Sequence, residues 1–446
     1  MQLTIENFKS IQKVENFEFR PLNIMAGINS SGKTSLTQCL LLLRQTLTKD
    51  FSGILNYNGE FVKAASPIDL VYERRATDNF HIGLAFSHDD LLKTDSFREL
   101  RDYDNRIVSL SLDVTLHIND KISVARISLK TFDDSGESLD EIKVNQLKSG
   151  IYKGRYTISW KSKKQEKVID LFNAKQRYKV DFMNFFPMMA ERINNVDKQE
   201  LVSFHLMKAL RVGMAHFLSH VIYIGPLRVA PVPVLSLTAD NFNTVGQDGL
   251  YTRFILHKYQ SYEVLPGTTL LQAVKEWICN RLGLAEDIRV VRDGTNSYRV
   301  RITIEGLEVE LYQVGFGLSQ VLPIVVQGLM TQPGDYLIVD SPEVHMHPSV
   351  QSGLVDFFSF LSKRGVYVLI ETHSDHIITR LRRRIAEGEL IPSKLKLCFV
   401  THGRLGSNYQ EVSIDQQGSF YGYLPKGFYD SQDEDFKEII KAKYHE

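Results

Sequence analysis

The residues best suited to chemistry form one run, Gly27-Ile28-Asn29-Ser30-Ser31-Gly32-Lys33-Thr34, which fits the spacing G-x-x-x-x-G-K-[ST]. Pro21 to Ala26 before it is short and apolar, as a buried strand would be, and Ser35 to Arg44 after it reads as an apolar helix. Strand, glycine loop and helix in this order aim several backbone N–H groups and the positive end of a helix dipole at one point, which suits a polyphosphate. Lys33 would reach the β- and γ-phosphates, and the Thr34 hydroxyl would bind Mg²⁺. The plainer alternative is a chance match in a loop, and both flanks argue against it. The run reads as a nucleoside-triphosphate site.

Three further places can serve such a site. Tyr336-Leu337-Ile338-Val339 runs into Asp340, a Walker-B pattern whose carboxylate would hold Mg²⁺ at the end of a central strand next to the phosphate loop. His373 ends the next apolar strand, where it would sense the γ-phosphate; its plainer role is to cap the following helix. Gly315-Phe316-Gly317-Leu318-Ser319-Gln320 opens a helix with free N–H donors and the Ser319 hydroxyl, enough for a second phosphate contact. One nucleotide does not need two such turns in one chain, so this face would close on the nucleotide of a second protomer. Alone, the turn is better explained as an ordinary glycine turn before a core helix.

The elements that must position these residues alternate between strand and helix, which argues an α/β fold around a largely parallel sheet. Strands are expected at 3–8, 17–19, 221–224, 336–339 and 366–370, and helices after Pro348 and Ser374. Val108, Leu110, Leu112, Val114, Leu116 and Ile118 alternate with polar residues, and the pattern resumes at Ala125, Ile127 and Leu129, predicting an antiparallel hairpin. Phe185, Met188, Met189 and Ile193, then Phe204, Met207 and Leu210, have helical spacing and predict two helices over 182–217. The chain is therefore divided into an N-terminal lobe (1–75), an inserted β-hairpin and helical region (76–215) and a C-terminal lobe (216–446).

Lys and Arg together number 53, as do Asp and Glu, so the formal net charge is zero and any nucleic-acid contact must rest on a local patch. Lys161 to Lys164 and Arg380 to Arg384 are the two basic runs that offer one. Cys39, Cys279 and Cys398 lie far apart in apolar surroundings, as buried thiols of a reducing cytosol. No apolar run approaches the ~20 residues of a membrane span, and no signal-peptide pattern opens the chain. A soluble, cytoplasmic protein is expected.

In their order, GINSSGKT, GFGLSQVLP, YLIVDSPEVHMHP and LIETHSDH resemble the ABC-type ATPase heads of SMC proteins, DNA-repair ATPases and OLD-like bacterial ATPases. The stand-alone OLD-like group, several of which serve anti-phage defence and which includes the ATPase subunit of Septu-type systems, is the nearest likeness. Asn7-Phe8-Lys9, Gly225 to Arg228, Leu381 to Ile385 and Pro425 to Asp430 extend it along the chain, while 76–215 carry little of it. The resemblance implies an ABC/SMC-like P-loop ATPase head with a largely parallel sheet, an antiparallel β subdomain and a helical insertion. It implies ATP and Mg²⁺ as cofactors. Gly27, Asn29, Ser30, Ser31, Gly32, Lys33, Thr34 and Ser35 would wrap the triphosphate, and Thr34 and Asp340 would hold the metal. Gly317 and Ser319 would act as the signature turn, His347 would stand at the D-loop position, and His373 would be the switch histidine. Asn7-Phe8-Lys9 would lie where related heads contact the base or the phosphates.

One position departs from that pattern. Relatives carry Glu directly after the Walker-B acid, and here it is Ser341, whose hydroxyl is far too weakly basic to activate water. Glu343 is the nearest carboxylate and the expected substitute, with slow turnover. His345-x-His347 beside Glu343 invites a zinc reading that the motif match makes unnecessary. Asp430, Asp433, Glu434 and Asp435 read as a solvated acidic segment rather than a nuclease cluster.

Three functions compete. The leading one is an ATPase that dimerises, or forms a higher oligomer, around ATP and controls a separately encoded effector, a nuclease, in anti-phage defence. The second is a nucleotide-gated scaffold with little turnover, which Ser341 favours. The third is a DNA-repair head, which would need long coiled coils, and residues 35–335 show no sustained heptads. DNA contact is compatible with the first and third; a membrane partner is not expected.

Overall fold

Runs of consecutive aliphatic residues are what a strand buried on both faces requires, and here they build a parallel sheet. The computed structural model describes residues 1–48, 50–75, 79–93, 97–147, 156–163, 167–170, 181–188, 198–232, 242–292, 298–422 and 438–442. They divide into two packed units. One comprises Met1–Phe19, Thr34–Val221 and His402–Asn408; the other comprises Arg20–Lys33, Ile222–Thr401 and Tyr409–Glu446.

The second unit carries the parallel strands. Tyr336–Asp340, Tyr367–Thr372, Leu22–Ala26 and Leu395–Gly403 lie side by side in that order, with Val221–Ile224 flanking the first. Their registers are parallel throughout, Ile338 opposite Leu369 and Ile370 opposite Ile24, with Ile24 also opposite Leu397. The helices Phe316–Met330, Pro348–Lys363 and Asp375–Ala386 pack their apolar faces into the core of this unit. Trp277 sits there edge-on to Phe357, with ring centroids 4.9 Å apart. A three-stranded antiparallel sheet, Asp287–Arg292, Tyr298–Ile304 and Leu307–Glu310, belongs to the same unit.

One expectation about strand order needs correcting. The acid strand does not neighbour the phosphate-loop strand; the histidine strand Tyr367–Thr372 stands between them and pairs with both.

The first unit is antiparallel. Its strands run Ile11–Glu18, Gln2–Phe8, Asn79–Phe86, Ser109–Ile118, Ile122–Phe132, Ser138–Gln146, Tyr156–Ser162 and Lys167–Asp170, each beside the next. Ser109–Ile118 alternates half-buried and buried residues without a break. In its partner the buried apolar positions are Val124, Ile127 and Leu129, because the register slips past Ala125 in a bulge. Ala125 therefore leaves the alternation that the sequence suggests.

The two helices expected over 182–217 give way to a hairpin and one helix. Asp181–Met183 pairs with Phe186–Met188, and Asn184 and Phe185 form the turn with φ of 52° and 58°, as a two-residue I′ turn requires. The Asn184 amide holds the turn by donating to the carbonyls of Thr46 and Phe51, 2.5 and 2.9 Å away. Lys198–Ser219 is the helix, and Phe217 packs against Phe86 with centroids 5.0 Å apart. Met189 and Ile193 lie outside the described residues, as do Lys164, the segment 425–430 and the acidic residues 430–435.

Cys39 and Cys398 are buried free thiols, and burial pushes Cys398 up to about 12; Cys279 is only half-buried. Among the described residues no helix is long and apolar enough to cross a membrane.

Candidate functional site

The strand Leu22–Ala26 is buried along its whole length, so the chain must turn sharply where it leaves the sheet. Gly27 makes that turn at φ +153°, where a Cβ would lie 2.3 Å from the Val400 carbonyl oxygen; only glycine fits. Ile28, Asn29 and Ser30 form an exposed crest, with Ser30 in the left-handed region at φ 61°. Ser31 is buried, and Gly32, at φ 95°, leads into the helix Lys33–Thr46. The Tyr409 hydroxyl donates to the Gly32 carbonyl over 2.6 Å and fixes the end of the loop.

Lys33 is nearly enclosed, at 6% exposure. Its ammonium donates to the carbonyls of Gly27 (3.0 Å) and Ile28 (2.8 Å), both in its own loop. Desolvation lowers its pKa, and the carboxylates of Glu371, Asp340 and Glu343 pull it back up. A cation folded onto neutral carbonyls in this way exchanges to its advantage when an anion arrives.

Asp340 closes its strand at 7% exposure. One carboxylate oxygen accepts from the Ser341 hydroxyl at 2.8 Å; the other lies 3.5 Å from the Tyr223 hydroxyl. Burial raises the Asp340 pKa against the hydrogen bond from Ser341, and the adjacent Glu343 charge raises it further against the pull of Arg228 and Lys33. A buried carboxylate that is costly to ionise alone is a fitting hard-oxygen ligand for a divalent cation, so the residues present suit Mg²⁺. Ser341 sits at φ 48° with its N–H on the Glu371 carbonyl (2.8 Å), so its strained backbone and its hydroxyl both serve to aim Asp340.

Glu343 bridges to the histidine strand. Its carboxylate accepts from the Thr372 hydroxyl (2.9 Å) and from the His373 N–H (2.7 Å). Thr372 in turn accepts from the Ser374 N–H, and Ser374 caps the next helix by accepting from Ile377. His373 itself is exposed; desolvation and then the Lys33 charge lower its pKa, which the Gly27 backbone and Asp340 partly restore.

The glycine turn differs from the sequence reading. Ser319 is buried, at 5% exposure, and its hydroxyl donates back to the Phe316 carbonyl at 2.7 Å. Gly315 caps the helix, and the surface there is made by Gly315 and Phe316, the latter 59% exposed with its ring 5.8 Å from His345. Gly317 passes close to the same loop, since a Cβ on it would stand 3.4 Å from the His345 carbonyl. His347, expected at the D-loop position, caps the helix Pro348–Lys363, its Nδ1 accepting from the Ser349 N–H.

Thr34 opens the second segment of the first unit, in the first turn of the helix begun by Lys33. Ser35 is buried there with its hydroxyl 2.7 Å from that of Ser10, a structural contact rather than a free donor. The base contact implied for Asn7-Phe8-Lys9 is not open to Phe8, which is fully buried and stacked on Phe80 at 5.0 Å. Asn7 donates to the Asn79 carbonyl and Lys9 to Gln38.

The arginines of the run Arg380 to Arg384 are engaged within the fold. Arg384 forks onto Asp356 (2.6 and 2.8 Å), Arg383 pairs with Glu387, Arg380 lies 4.0 Å from Asp356, and Arg382 donates to the Gly418 carbonyl. In the other run, Lys163 pairs with Glu137.

Sequence reasoning missed Arg228, Tyr223, Glu371 and Tyr409 as parts of this site. All four are polar residues in or beside buried strands, and that oddity was the available signal.

No curated protein matches the chain. Solved structures similar to it include the SmcHead bound to the C-winged helix domain of ScpA, 10% identical, covering 93% of this chain and 98% of that one with a TM-score of 0.47. Another is the Smc head domain with an extended coiled coil bound to the C-terminal domain of ScpA, from Pyrococcus furiosus (10% identity, 98% of each chain, TM-score 0.42). A third is the SMC head domain from Thermotoga maritima (11% identity, 93% of this chain, 98% of that one, TM-score 0.37). The family described as "AAA domain, putative AbiEii toxin, Type IV TA system" matches residues 22–379, most of the chain, and to this family of AAA ATPase domains the protein belongs.

Proposed function

We propose that the protein binds ATP with Mg²⁺, hydrolyses it slowly, dimerises around it and thereby governs a separately encoded effector. The observation that carries the reading is the loop itself. Lys33 is enclosed at the mouth of a glycine turn, its ammonium bonded among the described residues to the carbonyls of Gly27 and Ile28, with three carboxylates in its field.

In this reading Lys33 and the N–H groups from Gly27 to Ser35 hold the phosphates. Thr34 and Asp340 would hold Mg²⁺, which when bound neutralises phosphate charge. Ser341 keeps the Asp340 carboxylate aimed. Glu343, tied down by Thr372 and His373, keeps lone pairs able to accept a proton from water, and His373 hydrogen-bonds the terminal phosphate. The turn at Gly315–Ser319 would meet the nucleotide of a second copy through its backbone N–H groups, because the Ser319 hydroxyl is spent on Phe316. A nuclease effector and a role in anti-phage defence rest on the motif resemblance to OLD-like and Septu-type ATPases.

A specific observation favours a second reading, a nucleotide-gated scaffold with negligible turnover: both oxygens of Glu343 already accept hydrogen bonds. Steady-state phosphate release separates the two. Under the first, Glu343→Gln loses most of the wild-type rate, by roughly 10²-fold or more, and keeps ATP affinity. An unchanged rate in that variant removes Glu343 from the chemistry and leaves the scaffold.

A further inference from the structure

Arg228 stands just past the strand Val221–Ile224, in a loop braced by the Gly225 N–H on the Gln247 carbonyl and the Val229 N–H on the Asp248 carbonyl. It is 6% exposed, an unusual depth for a guanidinium. A single terminal nitrogen, Nη2, donates to two backbone carbonyls, those of Asp340 (2.8 Å) and Ser341 (3.0 Å). Nε and Nη1 are buried and have no protein acceptor among the described residues. Desolvation pulls the pKa down to about 10, and the opposing charges are those of Asp340 and Glu343.

The backbone of the same residue is held from another element. The Gln320 side-chain amide, itself 3% exposed, donates to the Arg228 carbonyl at 3.2 Å. Gln320 lies in the first turns of Phe316–Met330, the helix that the glycine turn opens. A continuous chain of hydrogen bonds therefore runs from that helix, through Arg228, to the last residue of the acid strand and the one that follows it.

We propose that Arg228 is a positioning residue that ties the glycine-turn helix to the metal-holding end of the acid strand, so that displacement of one alters the ligand geometry of the other. The inference rests on the nucleotide reading above and deepens it by naming how the site is regulated. Three features distinguish this from plain packing. A guanidinium placed only for stability would have its buried donors satisfied at both ends, and this one is bonded at one end. Its acceptors are the carbonyls on either side of the bend at Ser341, the residue whose hydroxyl aims Asp340. Its own carbonyl is engaged by the helix whose N-terminus is exposed for a partner. Outer residues that orient a metal ligand change metal affinity when removed even where the fold survives.

The test is Mn²⁺ binding in the presence of ADP, followed by electron paramagnetic resonance on the full chain, with metal-free ADP affinity and the melting temperature measured in parallel. Arg228→Ala and Arg228→Lys are both expected to weaken Mn²⁺ binding roughly 10- to 100-fold while metal-free ADP affinity changes less than about threefold. The lysine keeps the charge, but its shorter side chain does not carry a donor to where Nη2 meets the two carbonyls, so it is not expected to rescue. Gln320→Leu is expected to move Mn²⁺ affinity in the same direction by a smaller factor, and its effect disappears in the Arg228→Lys background. Wild-type Mn²⁺ affinity in either folded Arg228 variant overturns the inference, as does full additivity of the Gln320 and Arg228 changes. If Arg228→Ala fails to fold, Arg228→Lys and Gln320→Leu decide it. Lys33→Ala supplies the reference: a wild type that binds no more Mn²⁺–ADP than this variant refutes the nucleotide reading itself, whatever the Arg228 variants do.

Discussion

His373 is exposed on the surface yet titrates under the influence of a buried lysine, and this makes it a reporter for the whole site. Desolvation and Lys33 hold its pKa below the ordinary 6.5, so the imidazole is neutral at pH 7. The sign for stability follows. With the folded value below the unfolded one, the contribution of His373 is complete above the unfolded value, and it is lost as pH falls through the folded one. A terminal phosphate beside the ring reverses the electrostatics, because an anion favours the imidazolium. NMR titration is expected to place His373 below 6.5 without nucleotide and to raise it on addition of Mg-ATP; a value that does not move puts the phosphate elsewhere. At this scale the sequence was readable where backbone geometry dictates residue type. The turn at Gly27 leaves few choices of residue, and Lys33 and Asp340 stood out because the phosphate and the metal proposed for them would leave few as well. The roles of Arg228 and Ser341 were not readable, because they depend on partners more than a hundred positions away or on a bend that no pattern announces.

The histidine strand is the element on which the arrangement turns, since it pairs with the acid strand on one side and the loop strand on the other. Ile370 lies at its centre, fully buried, opposite Val339 and Ile24. Ile370→Ala is expected to cost about 2–5 kcal/mol of stability, read as a lower denaturant midpoint, and a wild-type midpoint would contradict its central place. The parallel strands were legible because burial on both faces leaves an unbroken aliphatic run. The order of strands was not, because pairing across hundreds of residues leaves no local trace, and so the acid strand was set one place too close to the loop. The hairpin at 181–188 was misread for a different reason. Phe185 and Met188 stand three apart, as on a helix, and the signal against it was Asn184, a residue that tolerates the left-handed turn it adopts.

At the scale of the molecule, a neutral charge balance coincides with arginines that are largely spent internally: Arg380, Arg383 and Arg384 all lie against carboxylates. Composition gives the first fact, and the second required the fold, which shows the Arg380 to Arg384 run engaged with carboxylates and a backbone carbonyl. The nucleotide site we propose is built from the loop at Gly27–Lys33, the acid at Asp340 and the histidine at 373. That claim is tested most directly by calorimetric titration of Mg-ATP into the wild type and into Lys33→Ala. The account predicts saturable binding by the first and its loss, by at least about 10²-fold in affinity, in the second. Equal affinity in the two proteins would contradict it.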